Sequence, residues 1–184
     1  MTDKQPDKLE RTHALREALR GVRRRYDQLD RGKTAPIRRC RTADEVALEG
    51  AYWRIGEALA HDQYHLPHVV LLFHLAPHAT SEKFSFGRYL RKQIGDGDGA
   101  SLRVRRLLDS RDRDELDHRL RGILKLAAGD KAPVDWGVLG TDILWFFAES
   151  DSVRRRWAQD FYAPTSREAS PGATVLSTFS TSNR

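Results

Sequence analysis

Five of the seven histidines lie between His61 and His78. The pairs His61/His65 and His74/His78 have the i,i+4 spacing that puts two imidazoles on one helix face, as zinc sites do. Neither pair encloses the glutamate that acts as general base in metalloprotease helices, and Pro67 interrupts any single helix across the stretch. Surface or half-buried histidines are therefore expected, with no metal site. Asp96 and Asp98 sit in Gly95–Gly99 without the later ligands and closing Glu of a calcium loop, so a flexible linker is the reading. Cys40, the single cysteine, lies between Arg39 and Arg41, a neighbourhood able to depress a thiol pKa, yet no further catalytic signature accompanies it. No Gly-rich loop ends in Lys-Ser or Lys-Thr, which argues against nucleotide hydrolysis. Asp112 and Asp114 read as ordinary helix-start residues. No catalytic residue, cofactor or small-molecule substrate is expected.

The arginines carry the remaining chemistry. They cluster at Arg23–Arg25, Arg38–Arg41, Arg88–Lys92, Arg103–Arg106 and Arg154–Arg156. Ion pairs one helical turn apart would neutralise such clusters on a solvated face, and Arg156 followed by Asp160 fits that account. Arg38, Arg39 and Arg41, like Arg103, Arg105 and Arg106, have few acids within a turn. Unbalanced guanidinium charge finds its natural partner in phosphate, since binding releases condensed counterions and the planar fork can bond two oxygens. Aromatic residues are not interleaved with these clusters, so backbone contact without base reading is the implied mode.

Composition agrees. Lys and Arg total 32 against 26 Asp and Glu, a formal charge of +6, and the pI is about 9.7. A polyanionic partner is permitted by that balance. One cysteine allows no internal disulfide and fits a reducing cytoplasm. The N-terminus lacks the apolar stretch of a secretory signal, and no apolar run approaches the roughly 20 residues that span a bilayer. A soluble, cytoplasmic protein with no membrane partner is expected.

Helical periodicity must position these groups. A first helix is predicted over about Lys8–Leu29, with Leu15, Leu19, Val22, Tyr26 and Leu29 on an apolar stripe and Arg16, Arg20, Arg23 and Arg24 on a polar one. Asp30–Pro36 reads as a loop, and Pro36 as the opening of a short helix. Thr42 and Glu45 form a capping box ahead of a helix burying Leu48, Ala51, Tyr52, Ile55 and Leu59. Leu66–Ala76 reads as a short buried helix and Phe84–Ile94 as another. In the second half, Val104, Leu107 and Leu108 make an apolar ridge. Asp112 caps a helix burying Leu116, Leu120, Ile123, Leu124 and Ala127. Asp135 caps one with Leu139, Ile143 and Phe146 inward, and Ser150 or Asp151 starts a last one carrying Val153, Trp157 and Phe161. No strand pattern with hairpin turns is found. The fold class is all-α, a compact bundle of about seven or eight helices in two lobes. The lobes would span 1–99 and 100–163, with the glycine-rich 95–99 stretch between them. Residues 164–184, rich in Ser, Thr, Pro and Gly, cannot offset their ordering entropy by burial and are expected to be a disordered tail.

An ordered set of segments carries a family resemblance: DRGKTAPIRRC, FGRYL, LRVRRLL, DRDELDHRLRGILKLA, VDWGVLGTDILWF and VRRRWAQDFY, over about residues 28–162. The last two are the most specific. The chain resembles the small (CasB-type) subunit of the type I-E CRISPR complex called Cascade. Arg103-Val104 stands where that family usually has Arg-Phe. The resemblance implies a non-catalytic, all-helical, two-lobed subunit of an antiviral ribonucleoprotein. Its implied partners are the backbone and large subunits, a second copy of itself, the guide RNA and the target DNA. The implied role is to stabilise the R-loop by holding the displaced non-target strand, while base pairing reads the sequence. By motif, the nucleic-acid-binding residues would be Arg31, Lys33, Arg38, Arg39, Arg88, Arg91, Lys92, Arg103, Arg105 and Arg106. Trp136, Leu139, Ile143, Trp157 and Phe161 would serve the core or subunit contacts. Trp145 would be core or interface. The rival reading is a helical adaptor whose basic face meets an acidic protein.

Overall fold

The computed structural model describes residues 8–56, 64–81, 83–127, 132–148 and 150–163. Leu59, His61 and the expected tail at 164–184 lie outside them. Ten α-helices follow one another among the described residues: α1 (Lys8–Gln28), α2 (Arg31–Arg39), α3 (Ala43–Leu48), α4 (Gly50–Gly56), α5 (Leu66–Val70), α6 (Phe86–Ile94), α7 (Asp98–Leu108), α8 (Arg113–Ala127), α9 (Trp136–Trp145) and α10 (Ser152–Tyr162). A 3-10 turn, Phe73–Leu75, follows α5. The only β pairing among these residues is an isolated bridge between His78 and Val134.

The architecture follows from which helices are apolar all round. Every residue of α9 from Trp136 to Leu144 is buried, so it must be enclosed on all sides. α1 lies along it on one side and α5 approaches on another. A second pairing sets α10 along α6, with α8 packing against α6 and α7. Both main pairings cross the 95–99 stretch, and the buried apolar side chains form one continuous cluster from Leu19 to Phe161. The 95–99 stretch itself is short: Gly95 takes a positive φ of 78° at the end of α6, and Gly97 already caps α7. Close approach at the two main crossings requires glycine. A Cβ on Gly137 would fall 2.7 Å from the Arg16 carbonyl oxygen, and one on Gly87 would fall 2.4 Å from that of Trp157. The FGRYL and VDWGVLG segments are thus the contact points of the bundle.

The apolar stripe of α1 is buried as its spacing predicts, but its polar stripe is not wholly solvated. Arg20 and Arg23 are both buried. Arg20 forms an ion pair with the buried carboxylate of Asp135. Arg23 lies 5.3–5.7 Å from the ring centres of Tyr26, Phe73 and Trp136. It donates to the carbonyls of Phe73 at 2.5 Å and Ala76 at 3.0 Å, and to Asp27 at 2.9 Å. Helical spacing alone places a side chain on a face; it does not report the carboxylate or carbonyls that arrive from distant sequence.

Three further expectations are corrected. Residues 31–36 are helix: Asp30 accepts from the Lys33 N–H at 2.8 Å as an N-cap, and Pro36 lies inside α2. The helix predicted behind Thr42 is broken at Glu49, whose ψ of 127° is extended. This break turns Leu48 outward, leaving it 86% exposed. The buried run after Leu66 stays helical only to Val70 before it tightens. The caps at Thr42 and Asp112 share one arrangement. Each accepts an N–H from the Glu three residues on, at 3.2 and 2.8 Å, and that Glu takes the N–H of the residue before the cap.

Candidate nucleic-acid interface

The arginine clusters divide into those consumed by the fold and those left to solvent. Arg113 donates to the carbonyls of Ile143 and Leu144, covering the end of α9. Arg154 donates to the Ser110 carbonyl and lies 4.8 and 5.1 Å from the ring centres of Phe146 and Phe147. Arg156 pairs with buried Asp142, which also accepts from the Trp157 indole at 2.7 Å. Asp160, the partner spacing suggested for Arg156, instead accepts from the Ser85 hydroxyl at 2.6 Å. Arg25 donates to the Ile55 carbonyl at 2.9 Å. These groups lock helix ends and helix pairs together, and they are not free to meet a ligand.

Among the residues expected to bind nucleic acid, Arg31, Arg38, Arg39, Lys92, Arg103 and Arg106 are exposed. None of their six side chains has a hydrogen bond or ion pair among the described residues. Lys33 meets Asp30 at 2.9 Å. Arg88 and Arg105 have only loose contacts, each 4.0 Å from Asp160 and Asp109 respectively, and such solvent-exposed pairs hold little. Arg91 differs: its guanidinium is turned to Asp96 at 2.9 Å and to the Ala163 carbonyl, and its side chain is only 16% exposed. Its place in the Arg88–Lys92 run did not show that it ties α6 to the end of α10.

Cations, some of them unpaired, gather in three places. α7 and α8 enclose an open groove of about 400 Å³ lined by Arg103, Arg106, His118, Arg119, Gly122 and Leu126. The absent side chain at Gly122 helps to open it. Farther along α8, the charges of Arg121 and Lys125 converge with that of Arg38 on His74, which burial and these three cations push down to about 4. Arg121 also donates to the Cys40 carbonyl at 3.0 Å, which fixes the end of α2 beside α8. A third groove, of about 380 Å³, is lined by Lys83, Arg88 and Lys92 beside Phe84 and Tyr89. Arg119, Arg121 and Lys125 were not singled out from the sequence, because each stands alone in the DRDELDHRLRGILKLA run. Their spacing of two to four residues along one helix was the available signal.

The other candidate chemistry falls differently. Cys40 is buried, donates to the Pro36 carbonyl, and burial pushes its thiol up despite the neighbouring arginines. His74 and His78 do not share a helix face, because the 3-10 turn ends at Leu75 and Ala76 is extended. Trp136, Leu139, Ile143, Trp157 and Phe161 are all core residues, and Trp145 is half-buried against that core. No described helix is long and apolar enough to cross a membrane.

Comparison with known proteins agrees with this architecture. No curated protein matches the sequence. A chain in the crystal structure of E. coli Cascade bound to a PAM-containing double-stranded DNA target superposes with a TM-score of 0.64. It is 24% identical, and the match covers 78% of this chain and 93% of that one. The family profile of the CRISPR-associated protein Cse2 matches residues 28–162, and this chain belongs to that family.

Proposed function

We propose that this protein is a non-catalytic small subunit of a type I-E CRISPR RNA-guided surveillance complex. In that complex it would hold nucleic-acid backbone and stabilise the R-loop by gripping the displaced non-target DNA strand. The carrying observation is the set of exposed guanidinium groups without carboxylate partners, Arg103 and Arg106 in the α7–α8 groove and Arg38 and Arg39 at the end of α2. A groove lined by two unpaired guanidinium groups of α7, beside Arg119 of α8, which is paired with Glu115, attracts a phosphate chain whatever its sequence. Family membership and the likeness to a chain of a DNA-bound Cascade support the assembly partners: the backbone and large subunits, a second copy, the guide RNA and the target DNA. Trp53 and Tyr64, 57% and 94% exposed, add apolar surface of the kind subunits bury against one another.

The test is binding of labelled single-stranded DNA to purified protein across a salt series. Affinity should fall with a log–log slope of about −0.7 per phosphate neutralised. Replacing Arg38 and Arg39 by Glu should abolish binding with helicity intact. Binding that survives both this substitution and high salt overturns the assignment. Co-purification with acidic protein but no RNA would favour the adaptor reading.

A further inference from the structure

Within the histidine-rich stretch, His68, on α5, meets a carboxylate of α8. Its Nδ1 lies 2.6 Å from Asp117 Oδ2 on α8. Asp114, one turn earlier on α8, completes a set in which one donor atom from each residue lies within 4.8 Å of the others. The His65 ring stands beside them, 6.1 Å from that of His68. Asp117 is 5% exposed, and its second oxygen, Oδ1, is buried with no hydrogen-bond partner among the described residues. A buried carboxylate oxygen left unpaired is costly and calls for a partner. His68 cannot satisfy it while bonded to Oδ2. His68 also lines an open cleft of about 280 Å³ with Tyr64 and Pro67, and Asp114 is exposed.

We propose that His68, Asp114 and Asp117 bind a divalent transition-metal ion that fastens α5 to α8. One imidazole with two carboxylates suits zinc, whereas magnesium and calcium prefer all-oxygen ligands. Ligand distances of about 2.0–2.2 Å at a tetrahedral ion demand donors about 3.4 Å apart. Two of the three residues are anchored by burial, and exposed Asp114 is free to swing inward. The ion supplies the unpaired Asp117 oxygen with its partner and offsets two neighbouring negative charges. No reaction is assigned to it; it would brace the helix that carries Arg119, Arg121 and Lys125. The site is separate from the nucleic-acid reading and stands or falls without it.

Isothermal titration of full-length, chelator-treated protein with zinc chloride tests the proposal. One saturable ion per chain is expected, competed by cobalt and not by magnesium. Cobalt loading should give the visible d–d absorption of a nitrogen- and oxygen-ligated low-coordinate site. Asp114→Asn, at an exposed position that leaves the fold intact, should weaken binding about tenfold or more, and His68→Gln should remove the cobalt band. Absence of saturable zinc binding overturns the proposal. So does wild-type affinity in both variants, which would put the ion on other histidines.

Discussion

Arg20 grips both oxygens of Asp135 from 115 residues away, Nε to Oδ1 at 3.1 Å and Nη2 to Oδ2 at 2.6 Å. The same carboxylate accepts the N–H of Ser81 at 2.8 Å and those of Gly137 and Val138 at 3.0 and 3.3 Å. One buried side chain therefore caps α9, holds α1 and fixes the segment before α6. Burial alone would raise the Asp135 pKa, but Arg20 and the N–H groups of Ser81 and Val138 hold it below the ordinary carboxylate value.

Asp135→Asn keeps a capping oxygen but leaves the Arg20 charge buried without full compensation. It should cost about 3–5 kcal/mol in urea unfolding. Because the folded pKa is the lower one, the Asp135 contribution is complete above the unfolded value and is lost as pH falls through the folded one. The variant should therefore lose its deficit relative to wild type only in strong acid. An equal deficit at every pH would show that the pair is not the cause.

Gly87 and Gly122 should respond with opposite signs to the same substitution. Gly87→Ala drives a methyl into the Trp157 carbonyl where α6 crosses α10, and overpacking of this kind costs about 1–3 kcal/mol. Gly122 is exposed within α8 with nothing within 4 Å of an added Cβ. Gly122→Ala should stabilise by about 0.5–1 kcal/mol through helix propensity. Thermal unfolding of the two variants checks both signs.

His74 makes the protein acid-sensitive below its ordinary imidazole value. Burial first, then the charges of Arg121, Arg38 and Lys125, push it from 6.5 down to about 4. The unfolded chain then binds the extra proton between those values, so stability is complete above about pH 6.5 and falls as pH drops toward 4. Between pH 7 and pH 5 the loss should be about 2 kcal/mol from this residue. His74→Gln should flatten that part of the urea-midpoint profile, and an unchanged slope would refute it.

How much of this was legible in the sequence depends on the range of the interaction. Leu19, Val22 and Tyr26 on α1, or Leu116, Leu120 and Ile123 on α8, are buried as local periodicity dictates. Asp30 as a cap was hidden by Pro36, which looked like a helix start and is tolerated inside a short helix. The arginines were sorted least well. Arg23 and Arg106 each sit in a run of arginines, yet one is buried against three rings and the other lines an open groove. The difference lies in Phe73, Ala76 and Trp136, fifty or more residues away, which no spacing rule reports.

Two arginines distinguish electrostatic holding from scaffolding. Arg103 and Arg106 line the α7–α8 groove unpaired, whereas Arg91 is turned to Asp96 and the Ala163 carbonyl. Replacing Arg103 and Arg106 together by Gln should leave the unfolding midpoint near that of wild type, since exposed, unpaired side chains contribute little. It should weaken single-stranded DNA binding and reduce the steepness of the log–log salt slope by about 1.4, two phosphates at about 0.7 each. Arg91→Gln should do the reverse, lowering the unfolding midpoint while the salt slope of binding stays that of the wild type. If Arg91→Gln shortened the salt slope and the Arg103/Arg106 double variant did not, the strand would run over α6 and the α7–α8 groove would lose its role.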